Sequence, residues 1–125
     1  MLAKANRLTR GADYRRVSRR GLRSAGPHLV THIEFTDEPR PARFGFIVTR
    51  AVGDAVRRNT VRRRLKAICA EALPDVREGA DIVIRALPSS ARAPFAELRS
   101  QVLRGLKRRG AFEAVSPGGR PEPAS

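Results

Sequence analysis

At 125 residues the chain has room for one domain and one core. Hydrophobic residues make up 41% of it, a globular composition, yet 26 Lys and Arg against 12 Asp and Glu leave a net charge of +14, a degree of self-repulsion that points to an anionic polymer as partner. No apolar run approaches the roughly 18 residues of a membrane-spanning helix, the N-terminus lacks the apolar stretch of a signal peptide, and one cysteine with two histidines excludes an internal disulfide and a standard zinc finger. A nucleic acid met in the cytoplasm is the implied setting, not a membrane.

Residues 1–8 read as a basic extended segment. In "TRGADYRRVSRRG", Tyr14 and Val17 fall on one helical face, and Gly21 is placed to stop the helix. "PHLVTHIEF" alternates Leu29, Ile33 and Phe35 against His28, His32 and Glu34, the pattern of a half-buried strand. After the turn "DEPRPA", "RFGFIVT" carries Phe44, Phe46 and Val48 on one face and predicts a second strand, hairpinned to the first.

Asp54 is placed to cap a long helix in which Val61, Leu65, Ile68, Cys69 and Ala72 form one apolar stripe. Pro74 ends it. "ADIVIRAL" is short, continuous and β-branched, as a strand buried on both faces requires. Beyond a loop, Pro94 suits the first position of a helix whose core side is Phe95, Leu98, Val102 and Leu106. Residues 116–125, "SPGGRPEPAS", have the composition of a disordered tail, so the domain is expected over 1–115. The order is α-β-β-α-β-α, an α+β sandwich of helices on a small sheet. A helix-turn-helix, which needs adjacent helices, does not fit it.

Little in the chain resembles catalytic machinery. The phosphate loop G-x-x-x-x-G-K-[ST] and the G-x-S-x-G nucleophile elbow are both missing. Cys69 sits in the apolar stripe, where a small core residue is the plain reading. His28 and His32 share a strand face. Asp13, Asp54, Asp75 and Asp81 are read as turn and cap residues, not a metal cluster. No catalytic residue and no protein metal site is expected.

The helix "RRNTVRRRLKAICAEAL" is different. Six of its first ten residues are basic, and no acid appears before Glu71. A helix that is merely solvated interleaves acids one turn apart to relieve such repulsion. Arg58, Asn59, Arg62, Arg63 and Lys66 recur at helical spacing, and the arginine fork matches phosphate oxygens.

At "FIVTRAVGDAVRRNTVRRRLKAICAEAL" the sequence strongly resembles the bacterial ribonuclease P protein family. Gly53, Ala55, Val56, Arg58, Asn59, Arg62, Arg63 and Lys66 occupy the positions of its motif, after a strand that ends in a basic turn. "NRLTRGADYRRVSRRG" is a second match, and the likeness runs along residues 2–112. The resemblance implies a small basic protein paired one to one with a large catalytic RNA, the two together removing the 5′ leader of precursor tRNA. Magnesium ions held mainly by the RNA would do the hydrolysis, with no small-molecule cofactor. It further implies that Arg50, Arg57, Arg58, Asn59, Arg62, Arg63 and Lys66 face the catalytic RNA, and that a cleft holding Tyr14, Ser18 and His32 takes the leader. The family fold, that of the second domain of ribosomal protein S5, has a left-handed β-α-β crossover, against the general right-handed rule.

The sequence departs from the family pattern at several positions. Thr60 replaces a usual Arg, Lys66 another, and Ala51 stands where a second basic residue is common; Ser18 and His32 hold places often aromatic. A ribosomal or general RNA-binding protein is the alternative reading, and a DNA-binding regulator a third.

Overall fold

The computed structural model describes residues 2–113; the expected tail, 116–125, lies outside them. Three helices, α1 (Gly11–Arg20), α2 (Ala55–Ala72) and α3 (Phe95–Arg108), accompany four strands, β1 (Leu22–Ala25), β2 (Leu29–Phe35), β3 (Arg43–Ile47) and β4 (Ala80–Ala86). The strands form one sheet in the order β1-β2-β4-β3; β1 and β4 run antiparallel to β2, and β3 runs parallel to β4. The chain is α+β, as expected, with one strand more than the sequence pattern revealed.

That extra strand is β1. Its sequence LRSA has no apolar alternation, Leu22 is 48% exposed, and Ser24 is its only buried residue. Pairing with β2, closed by the Gly26 N–H donating to the Leu29 carbonyl at 2.8 Å, makes it a strand. The hairpin predicted between β2 and β3 does not exist, because β4 lies between them. The central place needs a strand buried on both faces. Ala80 to Ile84 of β4 are all buried, whereas β2 and β3 each carry partly exposed positions. β3, α2 and β4 form the β-α-β unit to which the resemblance assigns the unusual crossover.

Register sorts the side chains between two faces. Leu29, Ile33, Phe44, Ile82 and Ile84 point to one side and meet Val61, Leu65 and Ile68 of α2 and Leu98, Val102 and Leu106 of α3. At roughly 1.5–3 kcal/mol for each fully buried Leu or Ile, this layer is the main source of stability. α1 covers the other side with far less: Leu8, Val17 and Val83 are the buried cluster there, flanked by Tyr14 and Ile47.

Local signals explain the element ends. Asp54 caps α2 as expected, its Oδ1 accepting from the Arg57 N–H at 2.9 Å. Pro94 is the cap residue of α3, one position earlier than predicted. Gly21 does end α1, but in extended backbone (φ −71°, ψ 154°) and not in the left-handed form. A Cβ there would stand 2.5 Å from the Val17 oxygen and 2.9 Å from the Ile33 nitrogen, so close approach of helix and strand is what requires the glycine.

The N-terminal segment is more than extended chain. It makes a short 3-10 turn at Lys4–Asn6, and Arg7 then bridges Phe44 while the Leu8 N–H donates to the Phe44 carbonyl at 2.8 Å. It therefore covers the open edge of β3, where unpaired backbone groups invite unwanted pairing.

Candidate nucleic-acid interface

The outer side of α2 carries the sequence-predicted ridge. Asn59, Arg62, Arg63 and Lys66 border a depression of about 400 Å³ floored by Ala67 and Ala70. Arg62 donates to Asn59 Oδ1 at 3.1 Å, which orients the amide. The two alanines keep the floor low, so the basic side chains form a rim into which a polyanion can settle. Among the described residues none of these four side chains is paired with a carboxylate.

The other predicted members lie outside this depression. At about 100° per residue, Arg58 precedes Arg62 by one turn and continues the ridge toward the helix start, whereas Arg57 falls on another flank. Arg57 lines a separate cavity with His28, Arg92 and Glu97. Arg58 is half-buried, and its Nε has no protein partner. Arg50 is exposed in the turn before α2. Thr60, at the position where the family has Arg, donates its hydroxyl to the Val56 carbonyl at 3.0 Å and so spends it on the helix itself. Arg64 reaches the Ala93 carbonyl at 3.4 Å and ties α2 to the loop before α3.

Tyr14, Ser18 and His32 all belong to the α1 side of the sheet. Ser18 follows Tyr14 by one turn on α1, and both are half-buried. His32 is the register partner of Arg23 on one side and of Val83, which packs with Val17, on the other. Burial, and then the charges of Arg23 and Arg85, hold the His32 imidazole below its ordinary value. It is therefore neutral at neutral pH, and its buried Nδ1 meets no protein group. A neutral ring suits contact with a base more than pairing with phosphate.

His28 does not join it. It precedes β2, and its ring is held at 2.6 Å from Ser89 Oγ and at 2.6 Å from Glu97 Oε2, a clasp between the β1–β2 turn, the β4–α3 connection and α3.

Sequence reading missed the ionic centre that fixes α1. Asp81 is not a turn residue: it lies within β4 with its side chain fully buried. Arg40 and Arg43 each hold it with two hydrogen bonds of 2.9–3.0 Å, and Arg16 of α1 adds one at 2.6 Å. Arg16 also donates to Glu34 at 2.5 Å and Asp13 at 2.6 Å, the bonds that raise its guanidinium above its ordinary value. Burial pushes the Asp81 carboxyl up, but hydrogen bonds and charge from Arg43 and Arg40 outweigh it and leave it below the usual range. The available signal was a lone acid inside an otherwise apolar strand, a position that demands paired charge.

Most of the described acids are thus committed to structure. Asp13, Glu34, Glu38 and Asp81 engage arginines at this centre, Glu71 pairs with Arg99, Glu97 with His28, and Asp54 caps α2. Among the described residues no group of three or more His, Cys, Asp or Glu is arranged to hold a metal ion. Cys69 is fully buried and burial pushes its thiol up, the condition of a core residue and not of a nucleophile. No helix among the described residues is long and apolar enough to cross a membrane.

Comparison with known proteins bears on this arrangement. The family model described as "Ribonuclease P" matches residues 2–110. The ribonuclease P protein component of Clavibacter michiganensis is 46% identical over 86% of this chain and 96% of its own length. That of Beutenbergia cavernae is 44% identical over 94% of this chain and 98% of its own. In three dimensions the RNase P protein of Staphylococcus aureus aligns with a TM-score of 0.79 at 23% identity, over 88% of this chain and 100% of that one, a likeness of fold. The RNase P protein of Thermotoga maritima aligns with a TM-score of 0.73 at 25% identity, over 86% of this chain and 98% of that one. With a basic helix that carries no acid before Glu71 standing on this sheet and a family model spanning nearly all of the described residues, the chain belongs to the ribonuclease P protein family.

Proposed function

We propose that the protein is the RNA-binding subunit of a ribonuclease P ribonucleoprotein that removes the 5′ leader of precursor tRNA. The single observation carrying this reading, beyond family membership, is the rim of Asn59, Arg62, Arg63 and Lys66 around an alanine-floored depression on α2. These side chains take the phosphates and sugar edges of the catalytic RNA, one protein to one RNA. The leader lies between α1 and the sheet, where Tyr14 offers a ring face and His32 a neutral ring; Ser18 lines the same cleft.

The chain's contribution is binding and orientation. Magnesium ions held by the RNA would supply the hydrolytic chemistry, and no step of it passes through a side chain of this protein. The work is done in the cytoplasm, where precursor tRNA is made. Binding tests the RNA contact. The wild-type protein should bind its own organism's catalytic RNA with an affinity that falls steeply with salt, and Arg62→Ala/Arg63→Ala should weaken that binding at unchanged melting temperature. Unchanged affinity in the double variant would refute the ridge as the RNA contact.

A further inference from the structure

Two more stretches of the chain are free of acids. Neither Asp nor Glu occurs from Tyr14 to Ile33 or from Leu98 to Phe112. The fold brings these stretches together at β1, the outer strand of the sheet. Arg109 of the α3 C-terminus donates from Nε to the Arg23 carbonyl at 2.8 Å, closing the outer edge of β1. Behind that strand, a Cβ on Gly105 would stand only 3.4 Å from Thr31 Oγ1 and 3.6 Å from Ser24 Oγ. Between α3 and the strands opens a cavity of about 210 Å³ whose lining includes Ser24, Thr31, Gln101, Arg104 and Arg108. That is several times the ~30 Å³ share of one water and leaves room for a phosphate.

Charge here is left without carboxylate partners, as on the α2 rim and in contrast to the Asp81 centre. Arg16, Arg40, Arg43 and Arg99 are all neutralised by carboxylates, whereas among the described residues Arg23, Arg104 and Arg108 pair with none. Like charges gathered without acids repel, and an anionic strand laid along them relieves the repulsion. The patch is also continuous with the cleft. Arg23 is the register partner of His32, and its charge acts on that ring from the adjacent strand.

We propose that the leader, after passing Tyr14 and His32, crosses the short strand β1 at Arg23 and lays its upstream phosphates in the groove beside α3, held by Arg104 and Arg108. This rests on the reading of the α1 side as the leader cleft and extends it into a second binding segment with a direction. The contacts are to phosphate, so they read leader length and not leader sequence.

The test uses the holoenzyme assembled with the catalytic RNA and three RNAs: mature tRNA, precursor with a leader short enough to end in the cleft, and precursor with a leader long enough to pass β1. Arg104→Gln/Arg108→Gln should weaken long-leader binding about 5- to 20-fold at low salt. It should also lower the salt slope by roughly 0.7 per lost contact, as for a single strand. Short-leader, mature-tRNA and catalytic-RNA affinities should stay as in the wild type. Arg108→Gln alone should give a smaller loss of the same kind, which keeps the test open if the double variant folds poorly. An unchanged long-leader affinity overturns the proposal, and so does an equal loss for every RNA or weaker assembly with the catalytic RNA. If the wild type itself binds all three RNAs alike, the cleft reading falls first and this extension falls with it.

Discussion

The phenol end of Tyr14 occupies the space above Gly45: a Cβ at that glycine would stand 2.6 Å from Tyr14 Cζ and 2.7 Å from its hydroxyl oxygen. The hydroxyl accepts the Phe46 N–H at 3.2 Å and donates to the Leu8 carbonyl at 3.3 Å. Tyr14 is therefore a tie between α1, the N-terminal segment and the edge of β3, in addition to the leader-stacking role proposed for it. A glycine that weakens β3 as a strand is what lets the ring sit there.

Two substitutions separate these roles. Tyr14→Phe keeps the ring and loses two hydrogen bonds, each worth about 0.5–1.5 kcal/mol; it should lower the melting temperature while preserving the holoenzyme's preference for precursor over mature tRNA. Tyr14→Ala should lose that preference as well, about 5- to 150-fold, because stacking of a base on an aromatic ring contributes roughly 1–3 kcal/mol. Affinities for both RNAs and a melt of each variant decide the matter. An equal loss for precursor and mature tRNA in Tyr14→Ala would reduce the residue to packing.

Asp81→Asn should destabilise the fold by about 3–5 kcal/mol at pH 7, since it leaves the guanidinium groups of Arg16, Arg40 and Arg43 around a neutral amide. The pH dependence has a definite sign. The folded-state carboxyl of Asp81 lies below its unfolded value, so its contribution is fully present above the unfolded value of about 3.9. It is lost as pH falls through the lower folded value. Urea melts of wild type and variant should thus differ most near neutrality and converge in strong acid. A difference that grew on acidification would contradict this account of the centre.

Periodicity made the α2 stripe, the doubly buried β4 and the Leu98, Val102 and Leu106 side of α3 legible, because each burial pattern is written locally; Phe95, expected on that side, is 40% exposed at the helix start. Tertiary contacts that leave no local pattern were not. β1 has no apolar alternation and exists through its pairing with β2. β3 pairs with β4 instead of β2 because burial on both faces selects the central strand. The Asp81 centre joins residues from α1, the β2–β3 loop, β3 and β4, and only a lone acid in an apolar strand hints at it. At the site, helical spacing found Asn59, Arg62, Arg63 and Lys66, which do share one depression. It did not show that Arg57 lines another cavity or that His28 is clasped by Ser89 and Glu97.

Arg63 and Arg64 are neighbours with different surroundings, which makes them a matched pair. Arg63 is exposed on the rim; Arg63→Ala should reduce the salt slope of catalytic-RNA binding by about 1 with little change in melting temperature. Arg64 is half-buried and bonded to the Ala93 carbonyl; Arg64→Ala should lower stability and leave the slope nearly intact. Binding isotherms at several salt concentrations, with a melt of each variant, check both. The reverse pattern would move the RNA contact to another face of α2.

The central claim is that this chain serves a catalytic RNA and performs no hydrolysis itself, and reconstitution tests it most directly. The rate of 5′-leader removal from precursor tRNA by the same organism's catalytic RNA, at low magnesium, is measured with and without the protein, beside the protein alone. The account predicts a clear acceleration when both are present and no cleavage by the protein alone. An RNA-only rate unaltered by the protein, or cleavage by the protein without RNA, would contradict it.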